Sequence, residues 1–317
     1  MIGKSIETAI EFLEKEKVVA IPTETVYGLA GNAYSKKAVS AIFEAKNRPN
    51  FDPLIVHVAS RDQLLSVVEY VPPELEPLIE AFMPGPLTLL LPKNERISDL
   101  VTAGSPMVAV RMPSHPITHK LLSRLSFPLT APSANPFGYI SPTTAQHVAQ
   151  QLGTKIPYIL DGGSCGVGVE STIVGVEEGK ISVFRKGGIA IEDLESIVGK
   201  LHVKQHSTSN PKAPGMLKSH YAPNIPFVVG DIPALLDQHQ GKTIGVLSFS
   251  QYYAQVEKAH QVQLSETASL REAAQRLFAA MRYLDGQALD LIVAEWLPEK
   301  GLGRAINDRL KRAAARN

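Results

Sequence analysis

Two cations stand two residues apart in the stretch AKNRPNFDPLIVHV at positions 45–58. Lys46 and Arg48 lie in a segment broken by proline and asparagine, and the apolar run 54–58 that follows is typical of a buried strand. His57 is the one polar residue of that run. Cations in a rigid loop beside a strand that ends in a histidine are suited to holding an anionic substrate. The alternative is that Lys46 ends a helix, where a cation favours the C-terminal dipole, and that Arg48 is solvated.

Polar side chains also follow an earlier predicted strand at 18–21. Glu24, Thr25 and Tyr27 come directly after its end. Ligands gather outside such strand ends in open α/β sheets, so the threonine and tyrosine hydroxyls could contact a polar substrate. A simple capping turn explains the same residues equally well.

Arg111 lies near the end of a third predicted strand, PMVAVRMP at 106–113. Because an unpaired buried charge is costly, this arginine needs a partner. The partner is either a substrate carboxylate, bound bidentately, or a structural aspartate or glutamate. His115 and His119 have the spacing of two zinc ligands, but no third ligand lies near them, so we expect no metal site.

Two further loops carry polar groups. The segment LTAPSANPFGYIS at 129–141 is typical of a strand followed by a turn, and its Ser133, Asn135 and Ser141 are by themselves ordinary turn residues. The glycine-rich segment at 158–175 also follows a strand. Successive backbone N–H groups in such a loop can bind phosphate or carboxylate.

The totals restrict the class of protein. The 317 residues suggest two domains, and 44% apolar with 20% charged residues is a globular composition. A net charge of +1 gives no bulk field for a nucleic-acid binder. Cys165, the single cysteine, excludes an intrachain disulfide and has no neighbouring histidine that would activate it. The N-terminus resembles no signal peptide and no apolar run approaches roughly 20 residues, so we expect a soluble, cytoplasmic protein without membrane contact.

The composition changes near residue 201. The segment 204–225 is rich in Pro, Ser, Asn and His and is predicted to be a linker. Strand-like runs at 227–230, 243–249 and 291–296 follow, separated by helices, which predicts a small parallel α/β domain. The basic amphipathic helix GLGRAINDRLKRAAAR ends the chain, and we expect its polar face to be solvated.

Six motifs, PTETVYGL, KNRPNFDPLIVH, PGPLT, VRMPSHP, APSAN and GVESTIV, occur in this order. Together they resemble the YrdC family of threonylcarbamoyl-AMP synthases. PGMLKSHYAP and GLGRAINDRLKRAA are similar to its two-domain form, and the resemblance covers nearly the whole chain. It implies a twisted mixed-sheet α/β catalytic domain at 1–203, a linker at 204–225 and a small Rossmann-like parallel α/β domain at 226–317.

The resemblance also implies a reaction. L-Threonine, bicarbonate or carbon dioxide, and ATP would give threonylcarbamoyl-AMP and pyrophosphate. A separate complex would then transfer the threonylcarbamoyl group to an adenosine beside the tRNA anticodon, and at most a weak RNA contact is expected of this chain. Mg²⁺ would arrive largely on the ATP phosphates, because the motifs contain few carboxylates. Positioned cations would stabilise the charge that develops on the phosphates.

The same resemblance implies the site residues. Catalytic roles fall on Lys46 and Arg48. The implied L-threonine ligands are Thr25, His57, Arg111, Ala131 and Ser171. The implied ATP ligands are Arg48, Asp52, Met107, Ser133, Asn135, Ser141 and Arg185. Many relatives have asparagine where this chain has Asp52, so that residue could supply a backbone contact alone.

The linker contains residues that a passive spacer would not need. The segment 211–223, PKAPGMLKSHYAP, combines three prolines and a hinge-like Gly215 with Lys218, His220 and Tyr221. We therefore expect it to fold over the N-terminal domain as a lid, with His220 or Tyr221 touching the nucleotide and water kept from the adenylate. The alternative is a segment that only sets the spacing of the domains.

Two other classes of function stay open from sequence. YrdC-like domains also occur in carbamoyl-transferring hydrogenase maturation enzymes, although the zinc-finger and acylphosphatase segments of those enzymes are missing from this sequence. A double-stranded RNA-binding protein without catalysis is the second alternative. Its binding would weaken steeply with salt.

Overall fold

The computed structural model describes residues 1–49, 52–204 and 220–315. Its strands form an eleven-stranded sheet and a separate four-stranded sheet. Neighbours in the large sheet run both parallel and antiparallel, whereas the small sheet is parallel throughout. The predicted mixed-sheet α/β domain followed by a parallel α/β domain is therefore confirmed.

The large sheet has the strand order β1-β8-β2-β3-β7-β4-β6-β5-β9-β10-β11. Its strands are β1 (Ile2–Gly3), β2 (Val19–Ile21), β3 (Gly28–Asn32), β4 (Ile55–His57), β5 (Leu87–Pro92), β6 (Met107–Arg111), β7 (Leu129–Thr130), β8 (Tyr158–Leu160), β9 (Thr172–Glu177), β10 (Lys180–Arg185) and β11 (His202–Val203). Parallel pairing of β4 with β6 sets His57 opposite Arg111. Two candidate residues from separate motifs thus become neighbours at one end of the sheet.

Helices cover the large sheet because their apolar faces need burial. They are α1 (Ile6–Glu14), α2 (Lys36–Lys46), α3 (Arg61–Leu65), α4 (Glu76–Phe82), α5 (Asp99–Thr102), α6 (Pro116–Arg124), α7 (Ala145–Leu152) and α8 (Ile191–Val198). Ser35 starts α2 by accepting a hydrogen bond from the Ala38 N–H, and Asn47 ends it in the left-handed conformation. Lys46 is the last residue of α2, so the helix-end alternative is correct for this lysine and the loop prediction is wrong. The other half of that alternative, a solvated Arg48, is wrong because Arg48 is buried.

The small sheet has the order β12-β15-β13-β14. Its elements are β12 (Phe227–Val229), α9 (Ile232–Gln238), β13 (Ile244–Ser248), β14 (Gln261–Gln263), α10 (Leu270–Asp285), β15 (Leu291–Ala294) and α11 (Gly303–Ala314). Sequence analysis missed β14, whose three residues Gln-Val-Gln carry almost no strand signal. The pairing with β13 supplies the partner that this short polar segment needs.

The two sheets are joined through a shared apolar cluster. Val26, Ile140 and Val169 from the N-terminal part pack in one cluster with Phe278 of α10 and Ile306 of α11. Gly168 lies so close to α10 that a Cβ at this position would come within 2.4 Å of the Ala274 carbonyl oxygen. Helices α10 and α11 therefore dock directly on the loops that end the strands of the large sheet.

Docking also buries the basic face of α11. Arg309 and Arg312 expose 0% and 1% of their surface, which makes them two of the largest fully buried side chains described. The prediction of a solvated basic face is wrong for these two arginines. In the described part of the chain, no helix combines the length and apolar composition that crossing a membrane requires.

Candidate active site

One cavity lies where several strand ends of the large sheet meet α10 and α11. It is lined by residues from most of the motifs singled out above. The predicted site residues that it brings together are Thr25, Arg48, His57, Arg111, Ala131, Ser133, Ser171, Arg185, His220 and Tyr221. Lys46, Asp52, Met107, Asn135 and Ser141 are not among the residues that line it.

Arg111 has a structural partner. Its Nη2 atom lies 2.7 Å from Oε1 of Glu24, and Nη1 donates a 2.8 Å hydrogen bond to Oγ1 of Thr25. Burial by itself would raise the pKa of the Glu24 carboxyl, but the Arg111 charge, the Arg111 hydrogen bond and backbone hydrogen bonds together hold that pKa below its usual value. The structural carboxylate that pairs with Arg111, whose identity the sequence left open, is thus Glu24. Arg111 still lines the cavity.

His57 is held as a neutral acceptor. It is buried, and its Nδ1 lies 3.2 Å from the Ile55 carbonyl oxygen, which can only accept. Nδ1 therefore carries the proton and Nε2 keeps a lone pair. Burial lowers the pKa of His57 to about 3, and the positive charge of Arg111 adds to this shift.

Ser171 lies at the centre of a hydroxyl and guanidinium cluster. Its Oγ is 2.6 Å from Oγ1 of Thr88, and Arg185 donates to both the Ser171 carbonyl oxygen and the Ser171 hydroxyl at 3.1 and 3.0 Å. Burial lowers the pKa of Arg185 to about 10, so its guanidinium still carries a positive charge at neutral pH. The strand end of β10 thereby brings a cation to the same wall as Ser171.

Arg48 brings a second cation. Its guanidinium forms a 2.8 Å ion pair with Asp52 and donates to the Pro53 carbonyl oxygen at 2.9 Å. Asp52 is fully buried behind Arg48. In this arrangement the aspartate fixes the direction of the arginine and makes no contact with the cavity itself. Residues 50 and 51 lie outside the described residues.

Lys46 supports the loop that carries Ser133. Its Nζ donates 2.5 Å hydrogen bonds to the carbonyl oxygens of Ser133 and Asn135. Burial, together with the nearby Arg48 charge, lowers the pKa of Lys46 well below its usual value. Asn135 shapes the same loop, because its side-chain amide donates to the Pro136 and Tyr139 carbonyl oxygens. Lys46 and Asn135 therefore stabilise the loop without lining the cavity.

Sequence reasoning missed a carboxylate in the cavity wall. Glu170 lines the cavity and accepts a 2.6 Å hydrogen bond from the Ser141 hydroxyl through Oε1. Its other oxygen, Oε2, lies 2.8 Å from Nε of Arg309 in α11. Burial favours the neutral form of Glu170, but the charges of Arg309 and Arg185, with the hydrogen bonds from Ser141 and the backbone, together offset this effect and keep its pKa low. Glu170 stands in the GVESTIV motif, which gave the one signal that could have identified it.

His220 and Tyr221 close the cavity from the side of the C-terminal domain. Tyr221 is buried with φ +65°, its ring stacks on Phe278 at 5.4 Å, and the guanidinium groups of Arg309 and Arg312 lie 5.2 and 4.7 Å from its centroid. His220 packs against Tyr221 with 4.2 Å between ring centroids. The hinge-like Gly215 and Lys218 lie outside the described residues.

Met107 lies elsewhere. It begins β6 and lines a separate, partly apolar groove with Leu90, Phe184 and the backbone near Ser105. The structure therefore does not bring it to the cavity of Arg48 and His57.

No metal cluster was found in the described part of the chain. Groups of three or more His, Cys, Asp or Glu side chains that could hold an ion are absent there. Burial raises the pKa of the Cys165 thiol to about 12, so this cysteine stays protonated and unreactive at neutral pH.

A mixed-sheet α/β domain and a parallel α/β domain meet at one cavity, whose wall contains cations, hydroxyls and a neutral histidine. This arrangement is typical of a two-domain enzyme that acts on a small polar substrate. Residues 11–187 match the family model Sua5_yciO_yrdC, described as Telomere recombination. Residues 189–315 match Sua5_C, described as Threonylcarbamoyl-AMP synthase, C-terminal domain. The chain belongs to the Sua5/YciO/YrdC family, in the form that carries this C-terminal domain, and the resemblance inferred from the motifs is confirmed.

Relatives match along almost the whole chain. A threonylcarbamoyl-AMP synthase of Pyrococcus abyssi is 41% identical over 98% of this chain and 94% of its own length. One of Bacillus subtilis is 40% identical over 98% of this chain and 92% of its own length. The crystal structure of P. abyssi Sua5 complexed with L-threonine superposes with a TM-score of 0.93 at 39% identity, covering 99% of this chain and 97% of that one.

Proposed function

We infer that this protein is a threonylcarbamoyl-AMP synthase, which joins L-threonine, bicarbonate or carbon dioxide, and ATP into threonylcarbamoyl-AMP and pyrophosphate. The observation that carries this inference is the meeting of two kinds of group in one buried cavity. Arg111, His57, Thr25 and Ser171 suit a small zwitterion that bears a hydroxyl, and Arg48 and Arg185 suit phosphate. The relatives that match the whole chain have the same activity in their names.

We call the part of the wall formed by Thr25, His57, Arg111 and Ser171 the threonine end. Arg111 is the cation of this end, and its fork, held by Glu24 and Thr25, is oriented to receive the threonine carboxylate. The neutral His57 can accept from the threonine hydroxyl or amine through Nε2. Ala131 leaves room for the methyl group, and a ligand that lacks the hydroxyl would leave His57 unsatisfied.

The remaining wall, formed by Arg48, Ser133, Arg185, His220 and Tyr221 with Ser141 behind it, is the nucleotide end. Arg48 and Arg185 would contact the phosphates, and Ser133 would position them from a loop that Lys46 holds in place. Mg²⁺ enters as part of the Mg·ATP substrate, since the cavity carboxylate Glu170 is already engaged on both oxygens. Met107 lies at the start of β6 in a separate groove. It would contact the nucleotide only if bound ATP extended into that groove.

The chemistry follows from this division. The free amine of threonine adds to bicarbonate and water is lost, which leaves a carbamate. A carbamate oxygen then attacks the α-phosphorus of ATP, the bond from that phosphorus to the bridging oxygen breaks, and pyrophosphate leaves. Arg48 and Arg185 stabilise the charge that builds on the phosphate oxygens. No side-chain nucleophile is needed, in agreement with the protonated state of Cys165.

The segment that contains His220 and Tyr221 would act as a lid over the nucleotide end. Both side chains are buried and line the cavity, a position from which they would exclude water from the mixed anhydride. The product would pass to a complex that modifies tRNA beside the anticodon, in the cytoplasm. A weak RNA contact of this chain would be revealed by RNA binding that falls steeply as salt is raised.

The deciding experiment measures pyrophosphate release from ATP, with threonine and bicarbonate each omitted in turn. The proposed function predicts release only when all three substrates are present, together with a threonylcarbamoyl-AMP product seen by mass spectrometry. Release without threonine, or with carbamoyl phosphate in place of bicarbonate, would favour the carbamoyl-transfer alternative.

A further inference from the structure

The C-terminal domain reaches the nucleotide end through a chain of three buried side chains. Nε of Arg309 in α11 lies 2.8 Å from Oε2 of Glu170, and Oε1 of Glu170 accepts the Ser141 hydroxyl at 2.6 Å. Arg309 is itself fixed by Asp308 and by the Lys186 carbonyl oxygen, both at 2.9 Å from its Nη1. Arg309 and Ser141 are fully buried and Glu170 is 7% exposed, so little water competes for these bonds.

A second contact fixes the backbone of the same loop. Arg282 of α10 donates to the carbonyl oxygens of Ile140 and Ser141, and its Nη2 also donates to Gln151. Asp285, one turn further along α10, accepts a 2.5 Å hydrogen bond from the Tyr139 hydroxyl. The loop that ends in Ser141 is therefore held at its backbone by α10 and at its side chain by α11.

The direction of the Ser141 hydroxyl decides what this residue can do. Since its proton is given to Glu170, Ser141 holds that carboxylate of the cavity wall in a fixed direction without itself lining the cavity. Without Arg309, Glu170 would be a buried carboxylate that has lost its nearest counterion, and the shift toward its neutral form would free the serine to turn.

We propose that Arg309 is a positioning residue of the C-terminal domain, which acts through Glu170 on Ser141 to hold the nucleotide end in its ATP-binding geometry. This inference rests on the proposed function, because it deepens the role of the same cavity. The docking of α11 thereby becomes part of ATP recognition, while threonine recognition depends on the N-terminal domain.

The test compares Arg309→Met with Arg304→Met in the full-length chain. Arg304 lies on the same helix and pairs with Glu192 at 3.1 Å, but both side chains are partly exposed, which makes it a matched control. Calorimetry should find ATP binding weakened about tenfold in Arg309→Met, the size expected for the loss of one hydrogen bond to a charged group. The threonine Kd should change by less than about twofold. Arg304→Met should leave both constants unchanged.

A double-mutant cycle separates positioning from general stability. In a Ser141→Ala background, Arg309→Met should weaken ATP binding less than it does in the wild type, because the route through Ser141 is gone and only the contact with the Tyr221 ring is left to lose. Arg309→Lys keeps the charge but replaces the guanidinium fork with a single donor nitrogen, so its ATP Kd should lie between those of the wild type and Arg309→Met. This variant replaces Arg309→Met in the test if the methionine variant does not fold.

Three results would overturn the proposal. They are an unchanged ATP Kd in a folded Arg309 variant, equal weakening of ATP and threonine, or fully independent effects of Arg309→Met and Ser141→Ala. Because the readout is ATP binding, it stands apart from catalysis. A wild-type protein that binds ATP but releases no pyrophosphate would refute the proposed function and leave the positioning test intact.

Discussion

Arg111 and Arg309 are both buried arginines that pair with a glutamate beside the cavity, yet they reach it in different ways. Arg111 and its partner Glu24 belong to the same mixed-sheet domain, and the arginine extends from the end of a strand of the large sheet. Arg309 belongs to α11, and its partner Glu170 lies 139 residues earlier, across the boundary between the two sheets. The threonine end is therefore built within one domain, whereas the nucleotide end is complete only when the second domain is docked.

This contrast means that threonine binding and ATP binding depend on different features of the structure, namely strand pairing and domain docking. Strand pairing fixes the threonine end, and strand pairs separate only when the sheet itself unfolds. Domain docking fixes the nucleotide end, and docked surfaces can separate without loss of either fold. Substitutions at Tyr221, Arg111, Lys46 with Arg48, and His57 test this division, in decreasing order of expected effect.

Tyr221→Ala should have the largest effect. It removes a ring that stacks on Phe278 and lies against two arginines, and truncation of a buried aromatic side chain costs about 3–5 kcal/mol. We expect a lower melting temperature, loss of synthesis and more AMP released for each threonylcarbamoyl-AMP retained. Threonine binding, measured separately by calorimetry, should persist.

Tyr221→Phe is the control, since it keeps the ring and loses only a hydroxyl 3.5 Å from Arg312. Full activity and an unchanged lifetime of the intermediate in Tyr221→Ala would refute the lid and weaken the division between the two ends.

Arg111→Ala should have the opposite pattern to Tyr221→Ala, with threonine binding weakened and ATP binding preserved. It removes the cation of the threonine end, and a lost hydrogen bond to a charged group costs about 1.5–3 kcal/mol, or roughly 10–150-fold in threonine KM. Because Glu24 would then be left unpaired, we expect some loss of stability as well. Steady-state kinetics check this, and an unchanged threonine KM with a raised ATP KM would reassign Arg111 to the nucleotide.

Lys46→Ala and Arg48→Ala should differ from each other, although the sequence treats them as a pair. Loss of Lys46 leaves two buried carbonyl oxygens without a donor, which costs about 1–3 kcal/mol of stability. Arg48 lines the cavity, so its loss should reduce turnover more than melting temperature. Thermal melts beside turnover numbers distinguish the two, and identical profiles would contradict the separate roles assigned to them.

His57 should give the smallest effect, and it depends on pH. Its folded pKa of about 3 lies below the unfolded value near 6.5, so the unfolded chain binds more protons between these values. The stability that His57 contributes is present above pH 6.5 and is lost as the pH falls toward 3. Relative to His57→Gln, the wild type should therefore lose about 1 kcal/mol between pH 6.5 and 5.5.

Denaturant unfolding at both pH values checks this difference, in which the contributions of all the other titratable groups cancel because both proteins contain them. A constant difference between the two proteins would mean that His57 takes up a proton as readily in the folded state as in the unfolded chain. In that case Nε2 would be a donor, and its assigned acceptor role at the threonine end would be wrong.

Most of the threonine end could be predicted from the sequence. Short apolar runs mark β2, β4 and β6, and strand ends are where ligand-binding residues are expected, so the polar residues at or directly after the end of each run could be singled out. Arg111 and His57 were found in this way before their pairing was known. The identity of Glu24 as the partner of Arg111 was not, because several carboxylates satisfy a local pattern and only the strand order selects one.

Helix α11 shows the limit most clearly. Its amphipathic pattern predicts a polar face, but periodicity reports the polarity of a face and not what that face meets. Arg304 on this helix is partly exposed, while Arg309 and Arg312 are buried against the other domain. A local signal could not separate these arginines, because the carboxylate that pairs with Arg309 lies 139 residues away.

Local patterns in the chain were enough to define most elements, their order and the motif residues that gather at strand ends, since these follow from burial, capping and chain direction. Packing was needed to establish that Lys46 supports a loop, that Met107 faces another groove and that Arg309 of α11 holds a carboxylate of the cavity wall. A buried charge takes its role from the group that neutralises it. In a chain of 317 residues, that group is chosen by the three-dimensional arrangement and not by spacing along the chain.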